Sequence, residues 1–217
     1  MKLKFDPSLD YQQEAIASTL AVFDGLAKDG EAYRRLGIAN TLTLNPDKLL
    51  ANIQKTQEQN VIEKSSTLYT ADDAYPFPNF SVEMEAGTGK TYVYLRTIFD
   101  LHKLKGLRKF IIVVPSVAIR EGVLSSLKLM KDHFKGLYEN TPFDHYVYNS
   151  KDLSKVRQFA TANTLQILII NIQAFQRDAG NVESYNDLTP EEIKNSRSFT
   201  ASKTKCRALN PLSLFKT

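Results

Sequence analysis

The sequence has one cysteine, Cys206, and no tryptophan among its 217 residues. A single cysteine excludes a disulfide framework within the chain, which is typical of proteins in a reducing compartment. No apolar run approaches the roughly 18 residues that a membrane helix needs. The first residues, MKLKFDPSLDYQQ, also lack the apolar core of a signal peptide. We therefore expect a cytoplasmic protein that has no membrane partner.

The excess of positive charge is confined to the end of the chain. The net charge is +4, and residues 193–217 contain six Lys or Arg and no Asp or Glu, so residues 1–192 have a net charge of −2. A basic tail of this kind is usually solvated chain. The rest of the sequence lacks the basic excess that is typical of a dedicated nucleic-acid-binding surface.

Two helices are predicted in the first third of the chain. Apolar residues at helical spacing predict a helix over residues 10–26. Asn45 followed by Pro46 predicts a second helix start, because Asn is a favourable N-cap and Pro suits the first turn. Residues 54–75 are polar and are expected to form a surface excursion.

The hydrophobic pattern of the following segment predicts a parallel sheet. Strands are expected over residues 80–84, 110–114, 146–148 and 165–172. Three helices are expected between or after them: one is marked by Leu95, Ile98 and Phe99, one by Ile119, Val123, Leu127 and Met130, and one covers residues 153–159. The first strand shows strict alternation of apolar and polar residues, whereas two others are continuous apolar runs that suit burial on both faces. Alternating strands and helices are the signature of a parallel α/β sheet flanked by helices.

A glycine-rich phosphate-binding motif follows the first predicted strand. Its residues are Glu85, Ala86, Gly87, Thr88, Gly89, Lys90 and Thr91. The backbone N–H groups of such a P-loop wrap a triphosphate, and the start of the next helix adds a favourable dipole. We expect Lys90 to reach the β- and γ-phosphates and the Thr91 hydroxyl to ligate Mg²⁺ bound with the nucleotide. Met84 stands at the first position of the G-x-x-x-x-G-K-[ST] pattern, which indicates the form common in helicase-type ATPases. ATP and Mg²⁺ are therefore the expected cofactors.

Several stretches closely resemble the restriction (Res) subunit of type III restriction–modification enzymes, which belong to helicase superfamily 2. They are NFSVEMEAGTGKTYVYLRTIFDL, KFIIVVPSVAIREGVLSSL, FDPSLDYQQEAI and LQILIINIQAF. The resemblance covers roughly residues 1–175. The resemblance implies a RecA-like P-loop fold and, in a full-length parent, ATP-dependent DNA translocation and cleavage. It also implies two partners, DNA and the modification methyltransferase subunit of the same system.

The resemblance implies roles for residues outside the loop. Gln12, after Tyr11, matches the glutamine that reads the adenine of ATP, and Tyr11 would pack nearby; without the resemblance, an exposed helix residue is the favoured interpretation of Gln12. Ser116, Arg120 and Asn171 match positions near the DNA. Ser116 or the N–H groups at its helix start would hold a DNA phosphate, and Arg120 would add a contact or stay solvated.

The resemblance also shows which parts of the family are missing from this sequence. In the superfamily an Asp-Glu pair at the end of a further buried strand holds Mg²⁺ and orients water. The acidic pairs Asp72-Asp73 and Glu191-Glu192 follow no apolar strand, and no second lobe or nuclease domain is recognised. We expect a sheet incomplete at its C-terminal side, with weak Mg·ATP binding and no turnover.

The expected organisation has four segments. They are an N-terminal helix with the adenine-reading glutamine over residues 1–30, a helical and polar insertion over 31–78, a partial P-loop ATPase lobe over 79–175, and a poorly ordered polar tail over 176–217.

Other functions stay open. The chain could be a stand-alone nucleotide- or DNA-binding module, or a truncated remnant without function. A P-loop GTPase is disfavoured because the sequence has no Asn-Lys-x-Asp guanine reader. A kinase is disfavoured because residues 176–192, where an Arg-rich lid is expected, are net acidic.

Overall fold

The computed structural model describes residues 5–28, 40, 42–68, 78, 80–149 and 152–174. Within these residues the chain forms five helices and three strands. In chain order they are helix α1 (Asp10–Ala21), helix α2 (Pro46–Gln59), helix α3 (Lys90–Lys105), strand β1 (Lys109–Val114), helix α4 (Val117–Leu137), strand β2 (Phe143–Val147), helix α5 (Ser154–Thr161) and strand β3 (Leu165–Asn171).

The three strands form one parallel sheet in the order β1-β3-β2. Val114 at the end of β1 lies opposite Asn171, and Val147 at the end of β2 lies opposite Ile169. Parallel strands need long connections, usually helical, and α4 and α5 supply them. The described residues therefore confirm an α/β fold with a parallel sheet flanked by helices, and the carboxyl ends of its strands meet at one edge.

The core lies between the sheet and the helices that cover it. The first six residues of β3 are buried, as expected for a strand covered on both faces. An aromatic group joins three elements, since the ring of Phe99 on α3 lies 4.8 Å from Phe134 on α4 and 5.0 Å from Phe143 on β2, measured between ring centroids. This packing fixes α3, and with it the preceding glycine-rich loop, on the sheet.

Helix α1 ends earlier than the sequence predicted. It stops at Ala21 instead of residue 26, because the side chain of Asn52 donates hydrogen bonds to the backbone carbonyls of Val22 and Asp24, at 2.9 and 2.8 Å. A side chain that satisfies these carbonyls replaces the hydrogen bonds that a further helical turn would make. Phe23 and Leu26, which lie in the part of the predicted helix beyond Ala21, are nevertheless buried.

Helix α2 begins where it was predicted. The Asn45 Oδ1 atom accepts a hydrogen bond of 2.9 Å from the Asp47 N–H, and Pro46 occupies the first turn. The expected surface excursion over 54–75 is wrong in its first part, because α2 continues to Gln59. The polar residues 54–59 form the last turns of this helix and are half-buried or exposed.

The predicted strand over residues 80–84 is wrong, since residues 80–85 pair with no strand in the described part of the chain. The alternation survives as alternating exposure, with even-numbered residues half-buried and odd-numbered ones exposed. At the edge of β1 that faces away from β3, the side chain of Asn40 makes hydrogen bonds that the backbone of a neighbouring strand would otherwise make. Its Nδ2 donates to the Lys109 carbonyl at 2.6 Å, and its Oδ1 accepts from the Arg108 and Lys109 N–H groups.

The other predicted elements shift by a few residues. The strands expected at 110–114 and 165–172 are confirmed as β1 and β3, and the expected strand at 146–148 is found as β2, starting at Phe143. The helix expected to be marked by Ile119 is α4, but Ile119 is exposed and the buried face of α4 begins at Val123.

No helix within the described ranges is both long and apolar enough to cross a membrane. Residues 79, 175 and 176–217, on which the expected segment boundaries depend, lie outside the described residues. The division into four segments therefore stays a prediction.

Candidate functional site

The glycine-rich loop, residues 85–91, turns directly into the first turn of α3. Gly87 and Gly89 have φ angles of 82° and 87°, in the left-handed region. Glycine adopts this region freely, whereas another residue loses about 1–2 kcal/mol there. Gly89 is the N-cap of α3 and has no side chain to bond the first N–H groups of the helix. The start of α3 thus offers backbone donors that suit an anion.

Two side chains of the loop converge on one backbone carbonyl. The Lys90 Nζ donates to the Glu85 carbonyl at 2.6 Å, and the Thr88 hydroxyl donates to the same oxygen at 2.7 Å. Ala86 and Gly87 lie exposed at the tip between them. A lysine ammonium has three N–H donors, so the contact with Glu85 leaves donors for an anion. The arrangement holds a positive charge at the helix start.

Thr91 lies in the first turn of α3 and is half-buried. Burial raises the pKa of the Tyr94 hydroxyl to about 12, and a hydrogen bond with Thr91 opposes part of that rise. Tyr94 is therefore neutral at physiological pH. Within the described ranges no group of three or more His, Cys, Asp or Glu could hold a metal ion.

Gln12 lies against the loop, and the interpretation of it as an exposed helix residue is wrong. It is 6% exposed, and its Nε2 donates to the Thr88 carbonyl at 2.9 Å. The approach is so close that a Cβ atom at Gly89 would lie 2.6 Å from the Gln12 Nε2. Gly89 therefore has two roles: it adopts the left-handed backbone conformation, and it leaves the space that the Gln12 amide occupies.

Tyr11 takes a different position from its neighbour. It is 47% exposed and lines a cleft of about 850 Å³ between α1, α2 and residues 80–85. Glu85 and Thr88 of the loop border the same cleft. Its size is within the range of small-molecule sites. The structure thus brings Tyr11, Gln12 and the loop together at one place.

The residues predicted to contact DNA lie at the carboxyl edge of the sheet. Ser116 is the N-cap of α4, where its hydroxyl accepts from the Ile119 N–H at 3.3 Å. Asn171 ends β3, and its Oδ1 accepts from the Gln173 N–H at 3.1 Å. Ser116 follows β1 and Asn171 is the last residue of the neighbouring strand β3, and both side chains stabilise local backbone.

Arg120 lies one turn into α4. Its guanidinium pairs with the carboxylate of Glu121 at 2.8 Å, and Glu121 is well exposed. An exposed ion pair between adjacent residues contributes little to stability. Arg120 could therefore exchange this partner for another anion at small cost.

The sequence did not reveal what fixes Gln12. Its partner, Thr88, lies 76 residues away, and no local pattern signals a contact of that range. The glycine at position 89, which leaves space for the Gln12 amide, is a sequence feature that is consistent with this contact.

These features define a class of protein, an α/β domain with a parallel sheet and a glycine-rich loop at a helix start. Residues 7–200 match the family described as type III restriction enzyme, res subunit. The match covers most of the chain. The chain therefore belongs to the Res subunit family of type III restriction enzymes, as its resemblance predicted.

Three relatives illustrate the similarity. The EcoPI Res subunit of Escherichia phage P1 is 36% identical over 155 residues, which cover 70% of this chain and 16% of the relative. The EcoP15I Res subunit of Escherichia coli is 33% identical over 155 residues, covering 69% of this chain and 16% of the relative. The StyLTI Res subunit of Salmonella typhimurium is 38% identical over 112 residues, which cover 44% of this chain and 11% of the relative. The matched region thus spans about a sixth, or less, of the relatives' length.

Proposed function

We propose that residues 85–91 bind the phosphates of Mg·ATP and that this chain is an ATP-binding portion of a type III restriction subunit. One observation supports this most strongly. Two glycines in the left-handed region stand immediately before an uncapped helix start that carries Lys90 in its first turn. Backbone N–H groups, helix dipole and ammonium then act on the same anion.

The proposal gives each loop residue a role. Residues 85–89 supply backbone donors, with Gly87 and Gly89 allowing close approach. Lys90 would turn its ammonium from the Glu85 carbonyl toward the phosphates, and the Thr91 hydroxyl would help to hold Mg²⁺. When bound, the metal would neutralise part of the charge on the phosphates. ATP and Mg²⁺ are therefore the proposed cofactors.

Tyr11 and Gln12 are proposed to contact the adenine. Gln12 already lies beside the loop, and an amide matches the N6 donor and N7 acceptor of adenine. Tyr11 offers an exposed ring next to it, on which a base can stack. Adenine binding would thus use the side of the loop that faces α1.

The wider function proposed is ATP-dependent DNA restriction together with a modification methyltransferase subunit. The names of the three relatives describe them as Res subunits of restriction–modification enzymes. Ser116, Arg120 and Asn171 are the proposed DNA contacts. The sequence contains no Asp-Glu pair after an apolar strand, so we propose nucleotide binding without turnover for this chain alone.

Calorimetric titration of the chain with Mg·ATP tests the central proposal. Replacing Lys90 by Ala removes a charged donor, so we expect affinity to fall by about tenfold to a hundredfold. Lys103→Ala is the matched control, because Lys103 lies on the same helix in an exposed ion pair with Glu139. Its affinity should equal that of the wild type. A folded wild-type chain that gives no titration signal, or equal affinities for both variants, would refute phosphate binding at this loop.

Salt-dependent binding to a short DNA duplex tests the proposed DNA contact. If Arg120 neutralises one phosphate, Arg120→Ala should lower the slope of log affinity against log salt concentration by about 0.9. Arg157→Ala on α5 is the control, since Arg157 is an exposed arginine that is not among the proposed DNA contacts. Identical slopes for the two variants would show that Arg120 does not contact a DNA phosphate.

A further inference from the structure

Arg96 connects α3 to the segment that precedes α1. It lies six residues after Lys90, so the rise of a helix places it about 9 Å further along α3. Its Nη1 donates to the backbone carbonyl of Pro7 at 2.6 Å. This contact joins the helix that follows the loop to the chain just before Gln12.

The Arg96 side chain is held in a largely buried position. It is 16% exposed, and its Nη1 also lies 3.4 Å from the Tyr92 hydroxyl. Its Nε is 3.9 Å from the Asp100 carboxylate, too far for a hydrogen bond, while the Tyr138 hydroxyl donates to Asp100 at 2.9 Å. The contact with Pro7 is therefore the short one that orients the guanidinium.

The segment before α1 is fixed from its other side as well. The Gln13 side chain donates to the same Pro7 carbonyl, and the ring of Phe5 stacks on Tyr92 with 6.4 Å between centroids. The N–H groups of Gln12 and Gln13 donate to the Leu9 carbonyl at 3.0 Å. The start of α1 is thus a rigid unit whose position depends on its attachments to α3 and the loop.

Two of those attachments are polar and well separated. Near the loop, the Gln12 Nε2 donates to the Thr88 carbonyl, and further along α3 the Arg96 guanidinium donates to the Pro7 carbonyl. The first contact holds the start of α1 beside the loop, and the second holds the segment before α1 against α3, in addition to the packing of the two helices. The amide of Gln12 is then held at one place beside the loop before any nucleotide arrives, which lowers the ordering cost of binding.

We propose that Arg96 is a positioning residue that fixes the Gln12 amide for recognition of the base. This inference rests on the proposed nucleotide binding at the loop. Arg96 acts on selectivity between bases, while Lys90 and Thr91 act on affinity for the triphosphate. Loss of the Pro7 contact leaves the loop intact and loosens the start of α1, so discrimination between bases falls and phosphate binding stays.

The test compares affinities for Mg·ATP and Mg·GTP, titrated into one protein preparation for each variant. The ratio of the two affinities is independent of the folded fraction, so a general loss of stability does not move it. Gln12→Ala should lower the preference for ATP by about twofold to tenfold, the worth of one neutral hydrogen bond. Arg96→Met should lower it to a similar degree, and the double variant no further, because both act through one contact.

Lys103→Met is the control on the same helix, since it removes an exposed cation that pairs with Glu139. It should keep the wild-type ratio. If Arg96→Met does not fold, Arg96→Lys keeps the charge and much of the aliphatic stem but lacks the planar fork, and its ratio should still fall. A wild-type ratio in the folded Arg96 variant, with a lowered ratio in Gln12→Ala, would overturn the inference while leaving the proposed function intact.

Hydrogen exchange of the nucleotide-free protein gives a second measurement. The amides of residues 8–21 should exchange faster in Arg96→Met than in the wild type and in Lys103→Met. Equal exchange would overturn the positioning role whatever the nucleotide affinities are. Failure of the wild type to bind either nucleotide would overturn the proposed function, and the base-recognition part of this inference with it.

Discussion

Replacing Gly89 by Ala should disturb two features at once, the backbone of the loop and the contact with Gln12. The φ angle of 87° places Ala in the left-handed region, which costs about 1–2 kcal/mol. The new Cβ would lie 2.6 Å from the Gln12 Nε2. Because that atom ends a flexible side chain, Gln12 can move aside, and the loss is its hydrogen bond to Thr88, about 0.5–1.5 kcal/mol. Together these two costs should lower the free energy of unfolding by about 1.5–3.5 kcal/mol.

Gly87→Ala is a matched control within the same loop. Its φ angle is 82°, but a Cβ there would meet no atom within 4 Å. Gly87→Ala therefore has the same backbone cost as Gly89→Ala. Both substitutions also lower the conformational entropy of the unfolded chain, because alanine is less flexible than glycine. The difference between the two variants isolates the Gln12 contact and should be about 1 kcal/mol.

Urea denaturation of the nucleotide-free protein measures these values. A cycle with Gln12→Ala completes the design, because Gly89→Ala should cost no more than Gly87→Ala once the Gln12 side chain is absent. The expected coupling between positions 12 and 89 is about 0.5–1.5 kcal/mol. Equal costs for the two glycine variants in the presence of Gln12, or a coupling of zero, would refute the view that Gln12 is packed on the loop.

Three further predictions concern stability. Val61 has a φ angle of 56° at the end of α2 and is 95% exposed, so Val61→Gly should raise the free energy of unfolding by about 1 kcal/mol, and a lower value in urea denaturation would contradict this. Ser116→Ala removes the N-cap of α4 and should lower stability by about 1 kcal/mol, whereas an unchanged unfolding midpoint would show that the 3.3 Å contact contributes nothing. Burial, with Arg108 nearby, lowers the pKa of Lys109 from 10.5 to about 8; the unfolded chain then binds more protons than the folded one between these values, so stability should rise with pH from about 8 to 10.5 relative to Lys109→Met, and parallel pH curves would refute the shift.

Local patterns were sufficient for the elements that depend on local chemistry. The start of α2 follows from Asn45 and Pro46, whose capping geometry involves only neighbouring residues. Strands β1 and β3 follow from continuous apolar runs, which suit no solvent-exposed element. The motif at residues 85–91 also depends on neighbouring residues only, and it indicated a glycine-rich turn before a helix. Both of its glycines have positive φ angles.

Elements that depend on distant partners could not be predicted from the sequence. The alternation over residues 80–84 predicts which side chains face the core, but a strand also needs a neighbouring strand. At the edge of β1 that faces away from β3, the Asn40 side chain forms hydrogen bonds with the backbone of Lys109. The end of α1 is set by Asn52, which lies 28 and 30 residues from the carbonyls it binds. Such contacts depend on tertiary packing, which overrides local propensity.

The hydrogen bond from Gln12 to Thr88 bears on why the site would select adenine. An amide can turn over to exchange its donor and acceptor, and only one orientation suits each base. With one Nε2 hydrogen on the Thr88 carbonyl, the second hydrogen can meet N7 of adenine while Oε1 accepts from N6. Guanine presents an acceptor, O6, in place of the N6 donor. Gln12 would have to turn over to donate to O6, and it would then lose Thr88. If Gln12 contacts the base as proposed, the loop backbone would enforce the choice of base through the Thr88 carbonyl. A substitution of the Thr88 side chain should then leave the preference for ATP in place.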